Sequence, residues 1–156
     1  MSSAADLPLT RINILLVEAD PVAREATLAA LAPSGADSSI VAVGDGVAAL
    51  DYLHGRGPYA GRDTRKQPRL VLMDTDLPQL PGVAVLKAMR ADPRTRAVPV
   101  VMLTATSERP ALDNCYASGA NSVVRKTSDP AELRRKMSKV HDFWLHVNEG
   151  DRPSRV

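Results

Sequence analysis

Aromatic side chains are scarce in this chain of 156 residues, at 3%. Stacking platforms for single-stranded nucleic acid are therefore missing. A lone cysteine, Cys115, excludes an internal disulfide and a cysteine-based metal site. No apolar run is longer than about five residues, whereas a membrane-spanning helix needs about 20. The opening residues Met1 to Asp6 have neither the basic region nor the apolar stretch of a secretory signal. Charge of one sign is also lacking: 20 Lys and Arg face 18 Asp and Glu, for a net +2. That balance gives no argument for nucleic acid. These absences together lead us to expect a cytoplasmic protein that touches neither membrane nor nucleic acid. His54, His141 and His146 show no metal-ligand spacing, because the last pair stand five positions apart rather than the three or four that share a helix face.

What the chain does have is alternation. With 44% hydrophobic residues it can bury one ordinary core. Ile12 to Val17 reads as a buried strand. Asp20 and Pro21 then supply an N-cap and a first helical residue, for a helix running to about Ala32. Ser39 to Val43 is a second strand, followed by a helix capped by Asp45 and ending near His54. Residues 55–68 read as an exposed basic loop. Leu70 to Met73 is a third strand, apolar throughout as strands covered on both faces are. Pro81-Gly82 opens a helix carrying Val85, Leu86 and Met89. Val98 and Val100 to Leu103 form a fourth strand, Ser107 starts a helix that ends near Gly119, and Ser122 to Val124 form a fifth. Ser128 or Asp129 caps the last helix, where Leu133, Met137, Val140, Trp144 and Val147 make one apolar stripe. The order βαβαβαβαβα predicts an α/β fold, a doubly wound five-stranded parallel sheet with helices on both faces. Residues 1–10 are expected to be a flexible N-terminus, 11–147 the domain, and 148–156 a flexible C-terminal tail.

In such a sheet, ligands bind beyond the C-terminal ends of the strands. Glu18 and Asp20 follow the first strand, Asp74 and Asp76 the third, Thr104 the fourth and Lys126 the fifth. Four acids, a hydroxyl and an ammonium are thus expected around one pocket. Clustered carboxylates suit Mg²⁺, a hard cation that keeps several waters. An aspartate beside Mg²⁺ and a lysine can attack phosphorus and form an acyl phosphate.

The segments Ile14-Leu15-Leu16-Val17-Glu18, Leu72-Met73-Asp74-Thr75-Asp76-Leu77-Pro78, Val101-Met102-Leu103-Thr104-Ala105 and Val124-Arg125-Lys126 resemble a CheY-like receiver domain of two-component response regulators, a (βα)5 flavodoxin-like fold. Gly55-Arg56-Gly57-Pro58-Tyr59 and Phe143-Trp144-Leu145 are similar to the single-domain regulators that partner bacterial phytochrome kinases. The resemblance implies that Asp74 is the phosphoacceptor, that Thr104 and Lys126 contact the phosphoryl group, and that Mg²⁺ lies among Glu18, Asp74 and the backbone carbonyl of Asp76. It implies a sensor histidine kinase as partner, of the bacterial phytochrome type, and a homodimer through the last helix with Phe143 and Trp144 in the interface.

Four positions depart from the family pattern. Ala19 stands where the second acid of the metal-binding pair belongs, and Asp76 where a small polar residue is frequent. Val123 replaces the aromatic switch residue, and Thr127 replaces the proline after the lysine. Without that proline the Lys126–Thr127 peptide is expected to be trans. Weak Mg²⁺ binding follows from Ala19. Two readings stay open: a regulator phosphorylated on Asp74 and signalling through protein contacts, and a degenerate receiver acting as a phosphorylation-independent interaction module. A phosphatase of the haloacid-dehalogenase type, suggested by Asp74-Thr75-Asp76, fits poorly. That pair belongs after a first strand, and here it follows the third.

Overall fold

A computed structural model describes residues 12–34 and 39–150. The expectations for residues 1–10 and for most of the 148–156 tail lie outside the described residues. The elements run β1 (Ile14–Val17), α1 (Pro21–Leu31), β2 (Ile40–Val43), α2 (Gly46–His54), β3 (Leu70–Asp74), α3 (Gly82–Ala91), β4 (Val100–Thr104), α4 (Arg109–Ala117), β5 (Ser122–Arg125) and α5 (Pro130–Asp142). A π-helical turn, Phe143–Val147, continues α5. All five strands are parallel, in the order β2-β1-β3-β4-β5.

The strands alternate between two cores, as a period of two dictates. Leu15, Val17, Val71 and Met73 face α2 and α3, packing with Tyr52, Leu53, Leu86 and Met89. Ile14, Leu16, Leu70 and Leu72 face α1 and α5, packing with Leu31, Met137 and Leu145. The continuous apolar runs exist because neither sheet face meets water. Asp20, Asp45 and Asp129 cap α1, α2 and α5 through Ala23 N (3.1 Å), Ala48 N (2.7 Å) and Ala131 N (3.3 Å).

Three expectations need correction. The fourth helix begins at Arg109 and not at Ser107. Thr104 Oγ1 accepts from Thr106 N (3.2 Å) and Thr106 Oγ1 from Glu108 N (3.1 Å). These side-chain turns hold residues 104–108 out of the helix. The loop 55–68 is not wholly solvated, since Arg62 and Gln67 are only 5% and 6% exposed. Arg62 lies over the Tyr52 ring at 4.1 Å and donates to Tyr52 O, Lys66 O and Gln67 Oε1. A guanidinium buries well when its donors are spent and an aromatic face covers it. Last, the apolar stripe of the final helix does not keep a regular α period: the α-helix stops at Asp142 and the chain widens into the π turn.

Candidate functional site

The C-terminal ends of β1, β3 and β5 deliver Glu18, Asp74 and Lys126 to one point. Lys126 Nζ lies 2.7 Å from Asp74 Oδ2 and 3.2 Å from Glu18 Oε1. Asp74 and Glu18 are almost fully buried, at 5% and 2% exposure. The other oxygen of Asp74, Oδ1, accepts from the backbone N–H of Asp76 at 2.9 Å. Glu18 Oε2 is buried without a hydrogen-bond partner. Backbone bonds fix the frame around them: Glu18 N to Val43 O (3.0 Å), Thr75 N to Leu103 O (3.0 Å) and Lys126 N to Thr104 O (2.7 Å). Gly82 opens α3 directly beneath, where a Cβ would collide with the Asp74 carbonyl oxygen and crowd Met102. Glycine is required there for close approach rather than for its φ.

Two carboxylates and one ammonium share this buried space, so their protons are set jointly. Burial, with the Asp74 carboxylate beside it, pushes the Glu18 carboxyl up to about 7, against the pull of Lys126. Burial also works to raise Asp74, but its contacts with Glu18, Lys126 and the Asp76 amide outweigh this and hold it below the usual carboxylate range. For Lys126 burial works downward, yet Asp74 and Glu18 keep the ammonium above its ordinary value. Asp74 is therefore the anion of the pair, and Glu18 carries the proton when one is present. A charged, immobilised aspartate oxygen is the form that can act as a nucleophile.

Of the six groups expected to converge, three meet directly. Thr104 is buried at the end of β4 (3% exposed). Among the described residues its hydroxyl bonds to Thr106 N and not to Asp74 or Lys126. Asp20 is spent on its cap. Asp76 joins through its backbone, while its side chain is exposed. The sequence reading missed Arg24, whose Nε and Nη2 donate to the carbonyl oxygens of Glu18 (3.1 Å) and Ala19 (3.2 Å). Nothing in a lone Arg on a helix announces this. Thr127 makes local bonds in place of the proline: its hydroxyl donates to Glu132 Oε2 (3.2 Å) and accepts from Asp129 N (3.2 Å). As expected, no cis peptide occurs among the described residues.

A divalent cation suits part of this set. The orphaned Glu18 Oε2 and the charged Asp74 carboxylate are hard oxygen donors in a desolvated place. Ala19 adds no carboxylate, and among the described residues no three of His, Cys, Asp and Glu gather in cation-binding geometry. Any ion must therefore complete its shell with water. Beside the site lies an apolar cavity of about 620 Å³ between α1 and the start of α5, whose lining includes Lys126, Val124, Leu133 and Met137.

The Response regulator receiver domain family matches residues 14–138, and the chain belongs to that family. It is 34% identical over 143 residues to the probable methanogenesis regulatory protein FilR2 of Methanothrix harundinacea, covering 90% of this chain and 88% of that one. It is also similar to the response regulator Rcp1 of Synechocystis, 28% identical over 134 residues with 86% and 89% covered. The structure of the Mn²⁺-bound form of Rcp1 superposes with a TM-score of 0.79 at 26% identity, over 90% of this chain and 99% of that one. The phosphorylated cyanobacterial phytochrome response regulator RcpA superposes with a TM-score of 0.82 at 29% identity, over 93% and 100%. The chain is thus a two-component receiver whose likeness lies with phytochrome response regulators.

Proposed function

We propose that the protein is a single-domain response regulator that accepts a phosphoryl group on Asp74 from the phosphohistidine of a sensor kinase and passes the signal on through protein contacts. The observation carrying this reading is the Lys126 Nζ–Asp74 Oδ2 pair at 2.7 Å with Asp74 held anionic. An anionic Asp74 oxygen attacks phosphorus in line, the P–N bond to the kinase histidine breaks, and the imidazole leaves as the acyl phosphate forms. Lys126, paired with Asp74, would donate to a phosphoryl oxygen and offset its charge. The Thr104 hydroxyl accepts from Thr106 N and keeps its own proton to donate to a phosphoryl oxygen as the switch hydroxyl.

Glu18, Asp74 and the Asp76 carbonyl would hold Mg²⁺, which screens the charge of the transferring group. Ala19 makes that hold weak. The exposed Phe143 (46%) and Val147 (57%), with Trp144 at 5.0 Å from Phe143 in edge-to-face contact, support a homodimer through this face. A kinase of the bacterial phytochrome type is the partner in this reading, supported by the likeness to RcpA, and the site of action is the cytoplasm.

A phosphotransfer assay tests the proposal. A histidine kinase labelled on its histidine, mixed with the full chain and Mg²⁺, should pass label to wild type and not to Asp74→Asn. Equal labelling of both would overturn it. The phosphorylation-independent module then becomes the better reading if neither chain is labelled by any phosphodonor.

A further inference from the structure

The π turn after α5 brings together two histidines whose spacing argued against a site. In an α-helix, residues five apart point about 140° away from each other around the axis. The wider turn at Phe143–Val147, closed by Asn148 N donating to Phe143 O at 2.6 Å, puts such residues on one face. His141 and His146 consequently face each other with ring centroids 5.3 Å apart and planes at 55°. The planes are too tilted for stacking. His141 is 4% exposed and His146 lies at the surface. Among the described residues neither imidazole makes a hydrogen bond to the protein.

We propose that His141 and His146 form a two-imidazole site for a divalent cation of borderline softness, with Zn²⁺ as its representative. Imidazole nitrogen suits Zn²⁺, Ni²⁺ and Cu²⁺ rather than Mg²⁺ or Ca²⁺. A tetrahedral Zn²⁺ bonds each nitrogen at about 2.0–2.1 Å, and the ring centre lies about 1.1 Å further out, so two rings on one ion have centroids about 5.2 Å apart. The observed 5.3 Å matches that spacing. Burial, the facing His146 and the Arg69 guanidinium all keep His141 neutral, against Asp142, which is the form that ligates. Arg69 is spent on the Leu145 carbonyl at 2.6 Å, beside the rings. Its charge lowers the affinity without taking up a ring nitrogen. With two ligands from the chain, water completes the shell. The ion would clasp both ends of the π turn and so hold the face that carries Phe143, Trp144 and Val147.

Calorimetric titration of the full chain with ZnCl₂ in a non-coordinating buffer near pH 7.5 tests this. Wild type and Asp74→Asn should each show one saturable event per chain, which separates this site from the carboxylate pocket. His146→Ala should weaken it at least tenfold. Because His146 is exposed, that variant keeps its fold, verified by an unchanged urea midpoint without metal. In the wild type, Zn²⁺ should also shift the ring-proton resonances of both histidines together. No saturable binding by wild type, or equal binding by His146→Ala, would overturn the proposal.

Discussion

Replacing Glu18 by Gln should flatten the pH dependence of stability between pH 5 and pH 8. In the folded chain, burial next to the Asp74 carboxylate lifts the Glu18 carboxyl from 4.5 to about 7. A carboxyl raised on folding binds its proton more tightly in the native state. It therefore contributes stability below its unfolded value and loses that contribution as pH rises through the folded value. At 1.36 kcal/mol per pH unit, the loss across pH 5–8 is about 2–3 kcal/mol. Asp74 is lowered and Lys126 raised, so both titrate outside this window. Burial lowers His54 and His141, and they act in the opposite direction, but they are common to both proteins. The difference between wild type and Glu18→Gln cancels them. Urea denaturation in EDTA at half-unit pH steps gives that difference directly. Wild type should lose about 2–3 kcal/mol more than the variant on going from pH 5 to pH 8. Parallel stability curves would refute the assignment of a shared proton at Glu18.

Three further outcomes follow from the same geometry. Ala19→Asp should tighten Mg²⁺ and speed phosphorylation of Asp74; calorimetry reads the first, and equal Mg²⁺ affinity of wild type and Ala19→Asp would contradict the account. Joint replacement of Phe143 and Trp144 by Ala should leave a monomer in analytical ultracentrifugation where wild type sediments as a dimer, and a monomeric wild type at tens of micromolar removes the proposed interface. Gly82→Ala should cost about 1–3 kcal/mol in thermal or urea unfolding and slow acceptance at Asp74, because the added methyl meets the Asp74 carbonyl; an unchanged midpoint would show that α3 can shift away freely.

The layer architecture was legible because both sheet faces are covered, which leaves uninterrupted apolar strands such as Leu70 to Met73. Asp20 and Asp45 were legible as the caps of α1 and α2, and Asp129 was one of two candidates for α5. Glu18, Asp74 and Lys126 were legible because residues at strand ends share one rim of a parallel sheet whatever the loops do. The loops themselves were not. Arg62 looked like one of several solvated basic residues, and only the fold places the Tyr52 ring beneath it. Arg24 caps two carbonyls of the β1–α1 loop that cannot be seen from residue spacing. The Asp76 side chain is exposed, and it is its backbone N–H that Asp74 takes up. Hydrophobic periodicity did not reveal the π turn: α spacing put Val147 on the stripe, whereas Leu145 is the buried residue and Val147 is exposed. That one register change reversed the argument about His141 and His146.

Phosphorylation by a small donor tests the central claim without a partner protein. The full chain is incubated with phosphoramidate and Mg²⁺ and its intact mass followed with time. The account predicts a slow gain of one phosphoryl group by wild type, a faster gain by Ala19→Asp and none by Asp74→Asn. Failure of both wild type and Ala19→Asp to gain mass, or a gain by Asp74→Asn equal to that of wild type, would contradict it.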